Sequence, residues 1–272
     1  MTTAVTIELP AGAGRSTGAG GAGLRQAMRA EWRKFASLRS PKWSLFVTLV
    51  ATLLVTYLST NGALHHNRQW YRGFDPTNTA LAGLAVGSLV VGVLGVLAMT
   101  GEYGSGTIRS SLTATPRRDV FILAKVIDFA LLALVIGMVL SFVSFFVGQA
   151  VLSGGGAPSA TLSDPGVLRA LVESGAFLGL LALFGLGIGA IIRHSAGAIG
   201  AFVGCTLLSS ILLQQVAGNP ARFTPDMIYG NSVASVVRVP GALNSSTGFA
   251  YMTLYTVAAL TIGVVVLSKR DA

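Results

Sequence analysis

Few residues in this chain have chemistry to offer, and their spacing decides what that chemistry could be. His65 and His66 are adjacent, so they do not share a helix face and are poorly placed to chelate one metal ion. They read as a solvated pair. His194 follows Arg193 at a turn and reads as an interfacial polar residue. The single cysteine, Cys205, lies in an apolar run and reads as a small buried hydrophobe; alone, it can form neither an intrachain disulfide nor a thiolate cluster. Lys125 and Asp128 stand one helical turn apart and could pair. Glu173 falls near the end of an apolar run. None of these makes the mid-membrane pair of ionisable groups that a proton or sodium path needs. Neither G-x-x-x-x-G-K-[ST] nor H-E-x-x-H occurs, so the chain has no P-loop ATPase and no zincin helix of its own. Gly18, Gly20 and Gly23 do fit G-x-G-x-x-G. They sit in a Gly/Ala tract without the strand and helix that a dinucleotide site requires.

The remaining polar feature is "TGEYGSGTIRSSLTATPRRD", residues 100–119, set between two long apolar runs. It has a carboxylate at one end, two arginines at the other and three glycines within. Its order is more particular than a plain connection needs.

The elements around it follow from composition. Of 272 residues, 52% are hydrophobic and 11% charged, with a mean hydropathy of +0.70. Soluble domains carry about a quarter charged residues, so this is an all-α integral membrane protein. A net charge of +9 would hint at nucleic acid in a soluble domain. Here most bases flank apolar runs, as membrane topology demands, and no nucleic-acid partner is expected.

Residues 1–23 are expected to form a disordered Gly/Ala-rich tail. Residues 24–42 put Leu24, Met28, Trp32, Phe35 and Leu38 at helical spacing, with Arg25, Arg29, Arg33, Lys34 and Arg39 among them. That pattern is a basic amphipathic helix for a membrane surface, with Pro41 expected to turn the chain inward. A span needs about 20 apolar residues to cross about 30 Å of hydrocarbon. Six candidates follow, at 43–60, 79–100, 120–150, 168–192, 196–216 and 249–267, so the membrane domain covers 43–268 and 269–272 is a short tail. The first run follows a long basic lead and is longer than a signal-peptide core, so it reads as a retained span.

Seven of the 19 Lys and Arg precede span 1, and 14 in all fall on that side, leaving Arg68, Arg72, Arg169, Arg222 and Arg238 opposite. Both termini and the 2–3 connection are therefore expected in the cytoplasm, in a plasma membrane. Gly83/Gly87, Gly185/Gly189 and Gly200/Gly204 are G-x-x-x-G pairs, suited to close packing within the chain or against another subunit. The 5–6 connection, 217–248, holds three prolines and many apolar residues and should form short interfacial or re-entrant helices.

Within 101–119, Thr107 to Ala114 can make about two helical turns, with Ile108 and Leu112 on one face and Pro116 as the stop. Glu102-Tyr103, Gly106-Thr107-Ile108, Leu112 and Thr115-Pro116-Arg117-Arg118, in this six-span setting, resemble the coupling region of ABC-2 type permeases, closest to actinobacterial members. The resemblance spans residues 24–270. It implies an elbow helix at 24–42, a cytoplasmic coupling helix after span 2 and an outer 5–6 connection. It implies a partner too: two copies of a separate ABC ATPase, holding ATP and magnesium, and a second permease subunit, identical or not. This chain would then hold no cofactor. Such assemblies mostly export drugs, peptides or lipid-like cargo. Under the resemblance, Glu102 and Tyr103 brace span 2 against the ATPase, Gly104 and Gly106 give the turn, and Thr107 starts the helix as its cap. Arg109 offers a cation to the partner, and Arg117 and Arg118 fix the exit at the lipid surface. The competing reading is a membrane-embedded immunity, sensor or anchoring protein that binds a partner and transports nothing.

Overall fold

Residues 39–65, 73–107, 118–216 and 220–269 are described by a computed structural model. Among the described residues the fold is helical throughout, with no strand. Six helices among them are long and apolar enough to cross a membrane. A bilayer offers the backbone no hydrogen-bond partner, and a helix satisfies its own backbone bonds, so each apolar run folds this way. The chain is accordingly a multi-pass membrane protein.

Span 1 runs Arg39–Leu64. Pro41, expected to turn the chain, instead lies in the first turn of this helix, where its missing N–H costs nothing. The rest of the expected elbow, with Arg25, Arg29, Trp32, Arg33 and Lys34, lies outside the described residues. Thr48, Thr52, Thr56 and Thr60 recur every fourth residue on span 1, and all are buried. Thr56 Oγ1 donates across to Ala80 O at 3.2 Å. The opposite face, with Trp43, Val47, Val50, Leu54 and Leu58, is exposed on the isolated chain, as a lipid-facing stripe should be.

The second apolar run is not one helix. Pro76–Leu81 forms a short helix and Leu84–Gly104 forms span 2. Asp75 starts the first piece, accepting from Asn78 N, with Pro76 just inside. Span 2 also continues past the boundary expected at residue 100, so Glu102, Tyr103 and Gly104 are helical. Span 3 is Arg118–Gly154, span 4 is Val167–Ile192 and span 6 is Ser245–Lys269. Span 5, Ser195–Leu213, contains a π-helical turn at Gly204–Leu208.

Span 4 is the centre of the bundle, and spans 2, 3 and 6 all pack on it. The most apolar stretch of span 4 is 67% buried, against 22% for spans 1 and 5, so these two form the outer flanks. Spans 2 and 4 meet backbone to backbone: a β-carbon on Gly95 would stand 2.0 Å from Ala182 O, and one on Gly185 2.2 Å from Gly92 O. Of the three G-x-x-x-G pairs, Gly83/Gly87 packs on Thr52 and Thr56 of span 1, and Gly185/Gly189 packs on span 2. Gly200 and Gly204 have open space beside them. Cys205 is exposed on the same flank, not buried as its apolar setting led us to expect. In a membrane, an apolar run says that a residue avoids water, not that protein covers it.

The 5–6 connection folds as expected into short pieces: a 3-10 turn at Pro220–Phe223, an α turn at Pro225–Ile228 and a π turn at Tyr229–Val233. Pro225, Ile228, Tyr229 and Val233 are buried. Tyr229 packs on Phe177 of span 4 with ring centroids 5.6 Å apart, and its hydroxyl donates to Leu81 O at 2.9 Å.

Candidate functional site

The end of span 2 carries the residues singled out by sequence. The helix closes at Gly104, and Ser105 Oγ donates back to Gly101 O at 2.8 Å. Gly106 takes φ +69°, a left-handed conformation that glycine adopts without a β-carbon clash. The turn therefore belongs to Gly106, while Gly104 remains helical. Thr107 Oγ1 lies 2.9 Å from Ser105 Oγ. Gly104, Ser105, Gly106 and Thr107 are all exposed. Ile108, Arg109, Leu112, Pro116 and Arg117 lie outside the described residues, as does any capping bond from Thr107 to the helix expected after it. Arg118 opens the span 3 helix.

Glu102 does something the sequence did not reveal. Its side chain turns into the bundle, where Lys125 Nζ of span 3 donates to Oε1 at 2.8 Å. Both side chains are nearly sealed from solvent, at 11% and 3% exposed. Asp128, the partner that helical spacing suggested for Lys125, is also buried, one turn further along span 3. Burying a charge is costly unless it is paired and hydrogen-bonded, so this pair joins spans 2 and 3.

The neighbouring residue extends the joint. The Arg193 guanidinium lies over the Tyr103 ring, 5.2 Å from its centroid. Its terminal nitrogen donates to Val266 O of span 6 at 3.0 Å. Ser195 Oγ, at the start of span 5, donates to Thr100 Oγ1 at 2.9 Å. His194 caps span 5 by accepting from Gly197 N through Nδ1. One end of the bundle thus gathers the last turn of span 2, the first part of span 3, the 4–5 turn and the last turn of span 6. Such an arrangement can pass displacement between helices.

The opposite end has a joint of its own that sequence reasoning missed. Asp75 Oδ2 accepts from Val236 N at 2.6 Å and Val237 N at 2.8 Å, while its other oxygen caps Pro76–Leu81. Arg169 bridges Glu173, one turn along span 4, and Ser235 O in the 5–6 connection. The Ser245 hydroxyl, at the head of span 6, donates to Glu173. The available signal was Asp75-Pro76, an N-cap followed by proline. The signal reports a helix start and cannot name Val236, 161 residues away.

Between this end and the core lies a cavity of about 10 Å³, walled by Ser88, Phe177, Phe202, Thr206, Asp226 and Tyr229 among others. That is room for about one water molecule. Burial raises the Tyr229 phenol above its ordinary range, so its hydroxyl stays a donor. Burial also raises the Asp226 carboxyl, and the bond from Ser210 only partly offsets this. The folded chain therefore keeps the Asp226 proton to higher pH than the unfolded chain does. Its contribution to stability is complete below the ordinary value of 3.8 and is lost as pH rises through the elevated folded value. Thermal unfolding in lipid nanodiscs should show the melting temperature falling across that window, with Asp226→Asn flattening the fall. An Asn variant that retains the full slope would assign the slope to another group.

Compared with protein-family models and with curated proteins, the chain shows no match. Fold and site together define its class: a helical multi-pass membrane protein, with six candidate spans among the described residues, a charged joint at one end and a carboxylate-held connection at the other.

Proposed function

We infer that this chain is the membrane-spanning subunit of an ATP-driven transporter of the ABC-2 type, energised by a separate ABC ATPase and working as an exporter. The observation that carries the reading is the joint at the root of the 2–3 connection. A partner pushing on an exposed segment moves helices only if that segment is fastened to them, and here Glu102 and Tyr103 fasten it to span 3 and to the 4–5 turn. The exposed stretch Gly104 to Thr107 supports a surface available to such a partner. Fourteen of 19 bases on one side support a cytoplasmic 2–3 connection. The substrate path would lie between two such subunits in a bacterial plasma membrane, with both termini cytoplasmic.

The test is physical association. With Cys205→Ala removing the single native thiol, Ser105→Cys is expected to cross-link to an ABC ATPase co-expressed with the chain. The purified chain alone should hydrolyse no ATP. Arg109→Ala is expected to leave insertion and folding unchanged and to weaken co-purification. Glu102 is a poor probe of docking, because its loss would disturb the bundle itself. Failure of every co-expressed ABC ATPase to bind, with capture of a signalling protein instead, would favour the sensor reading.

A further inference from the structure

The turn between spans 4 and 5 contains an anomaly. Arg193 is the non-glycine residue with positive φ among the described residues, at +62°. A β-carbon is crowded in that region, and glycine is the usual residue just past a helix end. A chain with 34 glycines places an arginine there. Its backbone N–H still closes the helix, donating to Gly189 O at 2.9 Å. The backbone geometry alone would be better served by glycine, so the side chain must supply the reason for an arginine.

That side chain reaches two other elements. Val266 O, its acceptor at 3.0 Å, belongs to the last turn of span 6, where the helix has no further N–H to offer its carbonyls. The guanidinium carbon lies over the Tyr103 ring, 5.2 Å from its centroid, and Tyr103 adjoins Glu102, which holds Lys125. A guanidinium can donate along its edge and stack on its face together, which an ammonium cannot. Its charge also complements the negative ends of spans 4 and 6, both of which terminate here.

We propose that Arg193 is a positioning residue that locks span 6 to the root of the 2–3 connection, so that displacement of that root is transmitted to span 6. Spans 2 and 3 are already tied by Glu102 and Lys125. Without Arg193, the described residues hold no other hydrogen bond or ion pair between the 4–5 turn and span 6. The inference rests on the proposed function only in taking the 2–3 connection as the place where force enters.

The test separates the two. In a Cys205→Ala background, spin labels at Gly101 and Val264, both exposed, report the distance between spans 2 and 6 in nanodiscs, with no partner present. The parent chain should give one narrow distribution. Arg193→Gly, which accepts φ +62° without strain, should melt as one unit and give a broad distribution. Arg193→Lys keeps the charge, loses the fork and should also broaden it. Distributions as narrow as the parent's in both variants would overturn the proposal, whether or not an ATPase binds. In complex with the ATPase, ATP should shift the parent between two distance populations. Arg193→Gly should weaken that shift by roughly 5- to 150-fold in equilibrium constant, the usual span of coupling between sites. An undiminished shift would show that span 6 is driven by another route.

Discussion

Replacing Lys125 with methionine is expected to destabilise the chain by about 3–5 kcal/mol, the usual cost of breaking a buried ion pair by removing one member. Lys125 is 2% exposed and Glu102 9% as whole residues, so water cannot readily take the place of the ammonium beside the carboxylate. The double variant Glu102→Met with Lys125→Met should recover most of that loss, because replacing both members of a buried ion pair by apolar residues of similar volume is often tolerated. Chemical or thermal unfolding of the purified chain in nanodiscs measures both. A single-variant cost below about 1 kcal/mol, the scale of an exposed ion pair, would show that the pair is open to water and that the joint is weak. The expected outcome bears on function as well. A joint worth several kcal/mol holds its geometry under load, whereas a surface ion pair would yield.

The second large effect concerns the seam of spans 2 and 4. Gly185→Ala places a methyl group 2.2 Å from Gly92 O. Backbone cannot swing away as a side chain can, so the two helices must separate along their contact. Overpacking typically costs about 1–3 kcal/mol, and more where the neighbour cannot yield. Gly95→Ala, aimed at Ala182 O from the other side at 2.0 Å, should act alike. Gly200→Ala is the control. It belongs to the same kind of motif and has nothing within 4 Å, so it should leave the isolated chain at least as stable, since alanine favours helix over glycine by about 1 kcal/mol. Equal losses at Gly185 and Gly200 would mean that the motif, not the close approach, matters. Span 4 bears the consequence because spans 2, 3 and 6 all rest on it.

Most of the spans were legible because their cause is local. A run of apolar residues forms a helix in a bilayer whatever surrounds it, and the boundaries expected for span 4 and the start expected for span 3 fall within two residues of the helices Val167–Ile192 and Arg118–Gly154, while span 3 runs four residues past its expected end at 150. The misreadings lie where a local signal met a distant one. The run at 79–100 was broken because Asp75 and Pro76 start a separate short helix and Gly83 lets span 1 lie against it. Pro41 read as a break because proline usually interrupts a helix, though at a first turn it does not. The threonine stripe on span 1 was visible at four-residue spacing, yet a period alone does not say which side faces protein.

The sequence by itself determined the class of this protein: apolar length sets the number of spans, and the distribution of lysine and arginine sets their expected sense. It also marked 100–119 as the polar segment apart from the rest. Only the tertiary structure decided what that segment's root is fastened to. Glu102 finds Lys125 23 residues on, Arg193 finds Val266 73 residues on, and Asp75 finds Val236 161 residues on. Helical spacing relates residues three or four apart. Bonds between helices depend on how the bundle closes, and that is settled by packing across the whole chain.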